Sequence, residues 1–461
     1  MLLASVLQAQ YISEVLEYKP APGQFINKTP WGVPSSANSL VGHITGSMSL
    51  GAFGGYVIFK FENPVENHSD NPFGVDFTIF GNPSSDWAEH GIVSVMKDEN
   101  GNGLPDDTWY ELAGSDYFFS STIKEYEVTY TNPNQPVADD VPWYDNHGNS
   151  GYVFANGAHN QPYYPNADIF PDVNPTEYTL SGTRVADELD KTDPPDIKSY
   201  RKAFGYADNQ IRGTAPYTVP DNPYTLEKEN SGGDAFDISW AVDTDGNYVD
   251  LDVIHFVKVH TAVLGDGGFF GELSTEITGA VAVTPDPSKT GVLDMIVIKS
   301  LPQTIKGESF QLEAFAFHKG RRDLDKTIVW STNLDGAWVN SDNLLTFSAS
   351  GEITLTASLA DMPEIKATVS AELVYNSDPS AIDESQSISI KIYPNPATDH
   401  IFISGVERAS VEIYSITGNR VLQKQNYSHN QPLAIAHLAN GVYIIKVKGQ
   451  NLIKAVWFIK K

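Results

Sequence analysis

No stretch of this chain repeats its apolar residues every three or four positions. Short runs of β-branched and aromatic residues recur instead between Gly, Pro, Asn and Asp. Gly55–Phe61, Val75–Phe80, Gly91–Met96, Tyr126–Tyr130 and Val253–Val259 are each five to seven residues long. Such lengths and boundaries are those of strands, and without helical segments between them the strands pair antiparallel. The expected fold is all-β: an antiparallel β-sandwich or jelly-roll-like domain over residues 10–285, followed by two small β-sandwich modules. A chain of 461 residues with 22 Tyr and 22 Phe has material for more than one core.

Two composition changes divide the chain. Thr284-Pro285-Asp286-Pro287-Ser288-Lys289-Thr290-Gly291 has the turn-rich make-up of a linker, and Asn376–Ser387 is a second. Between them, residues 292–375 hold the alternating runs Thr327–Thr332 and Gly351–Ser358. The formal charge of −28 is unevenly placed: residues 386–461 carry nine Lys and Arg against three Asp and Glu, and the remainder carries 21 against 55. A reversal at one point separates parts with different tasks. The acidic bulk excludes a nucleic-acid partner, which would need a basic face.

Residues 1–9, from Met1 through an apolar run to Ala9, read as the tail of a secretory signal peptide. No other apolar run reaches 18 residues, so no transmembrane helix is expected. Without cysteine, disulfides and thiolate metal sites are excluded.

The sharpest local motif is Asp98-Glu99-Asn100-Gly101-Asn102-Gly103-Leu104-Pro105-Asp106-Asp107. Oxygen side chains at its positions 1, 3, 5 and 9 match the first part of a calcium loop. Asp98, Asn100, Asn102, Asp106 and Asp107 are the expected ligands of a structural Ca²⁺. Trp109 stands where the bidentate Glu of an EF-hand belongs, so Asp106 or Asp107 must supply that carboxylate, in a loop between strands. Asp243–Asn247, with Asp-Gly between apolar runs, reads as a hairpin turn only.

Searches for catalytic patterns return little. There is no phosphate-binding glycine loop, no His-Glu-x-x-His and no Gly-x-Ser-x-Gly. His255 and His260, five apart on one strand, face opposite sides. Glu272 and Glu276 form a carboxylate pair, but 58 acidic residues make chance pairs common. The aromatic loops offer more. Trp143, Tyr144, Tyr152, Tyr163 and Tyr164 crowd a Gly/Asn/Pro-rich stretch that reads as poor in strands, and Tyr206 with Asp208 marks a comparable exposed loop. Exposed rings bind sugars or flat ligands by stacking, with Asn and Asp adding hydrogen bonds.

Three resemblances follow from longer phrases. Trp330 and Gly351-Glu352-Ile353-Thr354-Leu355-Thr356-Ala357 resemble bacterial immunoglobulin-like repeats, which implies that both small modules are immunoglobulin-like sandwiches and that 292–375 is a spacer. Tyr393-Pro394-Asn395-Pro396-Ala397, Val411–Val421, Leu438–Val447 and the basic end Ile459-Lys460-Lys461 resemble, in order, the type A sorting domain of type IX secretion substrates. That resemblance implies that residues 388–461 engage the type IX secretion machinery and that the protein crosses the periplasm to the outer face of the cell. Residues 11–280 resemble a family of bacterial cell-surface proteins through Pro22–Asn27, Leu50–Tyr56, Asp76–Asn82, Trp109–Ser115, Gly205–Asn209 and Gly271–Ile277. Trp87-Ala88-Glu89-His90-Gly91 departs from the Glu-Pro-Gly expected there. Members encoded beside outer-membrane cobalamin receptors add a nutrient to the ligands considered. The expected function is a secreted, surface-displayed, calcium-stabilised protein that binds a carbohydrate or a small nutrient such as cobalamin. The alternatives are a glycan-active hydrolase or lyase, and a non-catalytic adhesin.

Overall fold

A computed structural model describes residues 10–193, 196–214, 216–376, 391–404, 409–415, 420–427, 431–448 and 453–461. The signal-peptide reading over 1–9, most of the second linker and the Thr417–Asn419 turn lie outside the described residues. The chain divides into two units, one of residues 1–303, 311–346 and 352–372, the other of 304–310, 347–351 and 373–461. Both are built of antiparallel strands, as the strand-length pattern requires.

The first unit is organised around a nine-stranded sheet. Its order is Asp234–Phe236, Phe77–Phe80, Gly279–Ala282, Gln10–Lys19, Tyr56–Phe61, Phe256–Thr261, Gly91–Met96, Trp109–Leu112 and Ala241–Val242. Gln10–Lys19 belongs to both halves: its first residues pair with Gly279–Ala282 and the rest with Tyr56–Phe61. Register shifts at Ile12/Glu14 and Val15/Glu17 bend it between the two. At the far side, one stretch supplies both terminal strands, with Asp234–Phe236 on Phe77–Phe80 and Ala241–Val242 on Trp109–Leu112. The two halves enclose a single apolar core that includes Val57, Phe59, Phe77, Val95, Phe236, Trp240 and Val257. Truncating one of these rings, as in Phe59→Ala, costs about 3–5 kcal/mol. Ile238–Trp240, within the apolar run that precedes Asp243, is one 3₁₀ turn, started by the Asp237 side chain accepting from Ser239 N.

A four-stranded sheet, in the order Ser150–Val153, Val141–Asp145, Ile123–Thr131 and Glu177–Arg184, covers part of the roll. Two of its strands fall in the stretch expected to be poor in them. Pro142, Gly148 and Asn149 obscured the alternation there, yet Val141, Trp143 and Val153 pack inward. The core beneath is unusually rich in tyrosine, and each phenol finds a partner. Tyr130 OH donates to Phe53 O at 2.8 Å, Tyr178 OH to Pro20 O at 2.8 Å and Tyr126 OH to Asp145 Oδ2 at 2.7 Å.

The segment after Gly291 is seated on this unit. Met295, Val297 and Phe317 join the apolar cluster of the roll, and Trp240 Nε1 donates to Lys319 O at 2.9 Å. Ile328–Thr332 pairs with Gly351–Leu359, and Trp330, half-buried, donates from Nε1 to Asn343 Oδ1 at 2.9 Å.

The second unit holds a three-stranded sheet of Lys391–Tyr393, His400–Ser404 and Leu433–Ala434. A four-stranded sheet is ordered Arg420–Tyr427, Ala409–Ser415, Gly441–Lys448 and Ile453–Lys460. Ile401, Ile403, Val411, Ile413, Ile445, Val447 and Phe458 fill the core between them.

Candidate metal centre

Three carboxylates from distant parts of the chain meet in the first unit. One oxygen each of Glu89, Asp208 and Glu276 lies within 4.8 Å of the other two. Backbone pairing fixes each of them. Glu89 precedes the Gly91–Met96 strand, and its N–H donates to Asp208 O at 3.0 Å. Beside it, Gly91 and Ala207 exchange both ladder bonds, at 2.9 and 2.8 Å. Glu276 opens the two-residue strand Glu276–Ile277, which pairs with Met48–Ser49 so that Glu276 faces Ser49. Asp208 sits at φ 56°, a conformation unusual for a residue with a Cβ. Its side chain is clamped there: Oδ1 accepts from Asn82 N at 2.9 Å and Oδ2 from Glu276 N at 2.9 Å. Gly81 leaves the room, since a Cβ on it would stand 2.1 Å from Asp208 Oδ1.

The electrostatics are one-sided. Burial, then the neighbouring Asp208, pushes the Glu89 carboxyl up to about 8. Burial first and Glu276 second hold Asp208 well above the ordinary carboxylate range, and burial followed by Glu89 does the same to Glu276. Two more acids adjoin. Glu272 accepts from Gln24 N at 2.8 Å through Oε1, and burial raises its carboxyl to about 8. Asp234 accepts from Gln210 N at 2.8 Å and Asn209 N at 3.0 Å, and burial raises it to about 8. Such a group can be held together by protons, or by a cation that takes oxygen donors.

In sequence Glu272 and Glu276 look like a chance pair and Asp208 like part of an exposed loop, whereas each is buried. The signal lay in the phrases Trp87–Gly91, Gly205–Asn209 and Gly271–Ile277, each of which contributes one of the three residues.

The Asp98–Asp107 loop is elsewhere, an exposed hairpin connection between Gly91–Met96 and Trp109–Leu112. Its acids are occupied by the loop itself. Asp98 Oδ1 accepts from Gly101 N at 2.8 Å and Asn102 N at 3.1 Å, and its Oδ2 from Gly103 N at 2.9 Å. Asp107 Oδ2 accepts from Glu99 N at 2.9 Å, while Asn100 and Asn102 donate their side-chain N–H groups to Asp106 Oδ1 at 3.1 and 3.2 Å. Each carboxylate keeps lone pairs beyond those bonds, so the donor set fits a hard cation once the two amides turn their oxygens inward.

The aromatic candidates separate by face. Tyr144 and Tyr152 are about half exposed, at 49% and 52%, and Phe154 joins them at 47%. Trp143 points the other way, half-buried against the tyrosine core. Tyr163, Tyr164 and Tyr206 are buried, which corrects their reading as exposed platforms. Tyr164 OH donates to Asn174 O at 2.5 Å, Tyr163 OH accepts from Asn156 N at 3.1 Å, and Tyr206 OH accepts from Asp116 N at 3.1 Å. The two histidines are satisfied where they stand: His255 Nδ1 accepts from Asp98 N at 3.1 Å, and His260 Nε2 lies 3.1 Å from Thr183 O.

Residues 391–461 match the family model of the secretion system C-terminal sorting domain. The chain thus carries the tail of a type IX secretion cargo, and the protein is exported to the cell surface or the extracellular space. Among the described residues no helix is long and apolar enough to cross a membrane. No curated protein matches the chain. Similar solved structures include the Escherichia coli adhesin FdeC, at 10% identity over 48% of this chain and 80% of that chain, TM-score 0.17. PorZ, a surface component of the type IX secretion system of Porphyromonas gingivalis, is 12% identical over 88% of this chain and 43% of that one, TM-score 0.15. Immunoglobulin domains 1–5 of Sidekick-1 are 9% identical over 88% and 86%, TM-score 0.17.

Proposed function

We propose that this exported protein is a calcium-stabilised carbohydrate-binding protein, held at the cell surface or released there after delivery by its tail. The observation that carries the binding reading is the solvent face of the four-stranded sheet. The pairing sets Tyr144 opposite Ser150, and Tyr152 opposite Pro142, on that face. Phe154 follows Tyr152 by two residues, with ring centroids 5.9 Å apart and planes tilted by 36°. Next to Tyr144 stands Thr129, then Thr179, their hydroxyl oxygens 2.7 Å apart. A row of rings continuing into hydroxyls suits a saccharide, whose apolar face stacks while its edge is hydrogen-bonded. All three rings are about half exposed on that face. Calcium is assigned to the Asp98–Asp107 loop on the strength of its oxygen-rich, backbone-organised turn.

A glycan array on the full chain, with cobalamin run as a separate ligand, tests the binding reading. Tyr152→Ala should weaken the best glycan about tenfold, equivalent to ~1.4 kcal/mol, while leaving the melting temperature within a degree or two. An array without hits, together with no cobalamin binding, would leave the adhesin reading. Deleting residues 388–461 should leave the protein in the periplasm; surface display of the truncated chain would refute the sorting role.

A further inference from the structure

The Glu89–Asp208–Glu276 cluster has no part in the glycan reading and is independent of the Asp98–Asp107 loop. We infer that these three carboxylates form a second, buried divalent-cation site, specific for a hard ion such as Ca²⁺.

Clustered acids alone would not support this, but the state of their oxygens does. Glu276 is only 6% exposed, and its Oε1 is buried without a hydrogen-bond partner. An orphaned, desolvated carboxylate oxygen is destabilising unless something positive meets it. Asp208 is oriented from behind by Asn82 N and Glu276 N, and Glu89 Oε1 by Ser274 N at 2.9 Å. Backbone N–H groups thus hold Asp208 and Glu89 in place from behind, as the outer shell of a metal site does. The strongest charge effects on each of the three come from other carboxylates. A further buried oxygen, Glu272 Oε2, is also without a partner.

The donor chemistry selects the class of ion. Three carboxylates without His or Cys suit Ca²⁺, Mg²⁺ or Mn²⁺ over zinc or copper. Oxygens on a shell of about 2.3–2.6 Å radius stand up to about 5 Å apart, and one oxygen of each carboxylate lies within 4.8 Å of the other two. Glu89 is the least buried of the three residues. Bound there, the ion would join the Gly91–Met96 strand, the Gly205–Asn209 turn and the Glu276–Ile277 strand, which chain connectivity leaves far apart.

The test counts ions on the full chain after chelation and equilibrium dialysis against Ca²⁺, Mg²⁺ or Mn²⁺ separately. An Asp98→Ala protein, with the loop disabled, should retain one equivalent of Ca²⁺. Adding Glu276→Gln should abolish it, and adding Glu89→Gln, at the more exposed ligand where folding is least at risk, should weaken it at least tenfold. The inference is overturned if the Asp98→Ala protein binds none of the three ions, or if its bound ion is unaffected by Glu89→Gln. An unchanged ion count on Asp98→Ala alone would instead count against the loop, so failures of the two sites are distinguishable.

Discussion

The Asp98–Asp107 loop and the Glu89–Asp208–Glu276 cluster are both knots of acidic residues, yet they are made in opposite ways. In the loop the acids, the glycines and the N–H groups that satisfy them come from ten consecutive residues, and water covers what remains. In the cluster the acids come from three segments, the N–H groups from Asn82, Ser274 and Glu276, and burial removes the water. Their glycines differ accordingly. Gly101 and Gly103 adopt φ 71° and 74° with nothing within 4 Å of a Cβ, so glycine serves backbone conformation there. Gly81 needs no special φ; glycine is required because Asp208 occupies the space a Cβ would take. A motif made by local geometry tolerates change at modest cost, and one made by close approach does not.

The sharpest way to break this contrast is to add one methyl group at each. Gly81→Ala should cost about 3 kcal/mol by forcing Asp208 from its clamp, whereas Gly101→Ala should cost about 1 kcal/mol. Chemical denaturation of both would measure this, and equal losses would remove the distinction. A smaller effect concerns pH. Glu272 and Asp234, both raised to about 8 by burial, titrate near 4 when unfolded. Between those values the folded chain holds more protons than the unfolded one, so their contribution is full below about pH 4 and lost as pH rises toward 8. Melting of the chelated protein should therefore fall by several degrees from pH 5 to pH 8, and Glu272→Gln should flatten that slope. A slope of the other sign would mean these acids are ionised at little cost. The smallest effect belongs to the loop: Asp98→Ala should lose about 1 kcal/mol in chelator, where only its three backbone bonds go, and more in calcium. Melting curves in both conditions decide this, and equal losses would deny the loop its ion.

Legibility followed the same divide between near and far. The strand at Gly91–Met96 is legible to the residue, because burial on both faces leaves an apolar run broken only at Ser94. The Asp98–Asp107 turn and the tail phrases were equally plain, each being a contiguous string. What composition cannot reveal is which face a ring takes. Tyr144 and Tyr163 stand in the same Asn- and Pro-rich surroundings, yet one is solvent-facing and the other fully packed. Pro142 hid the alternation that would have separated Tyr144 from Trp143. The acid cluster was least legible, since residues 119 and 68 positions apart meet only after the main sheet has formed.

That sheet has one further property. Its two rims are the three residues Asp234–Phe236 and the two residues Ala241–Val242, drawn from one short piece of chain. Exposed strand edges recruit other chains, and natural β proteins shorten or cover them. Rims this brief offer an exported protein little purchase for sticking edge to edge.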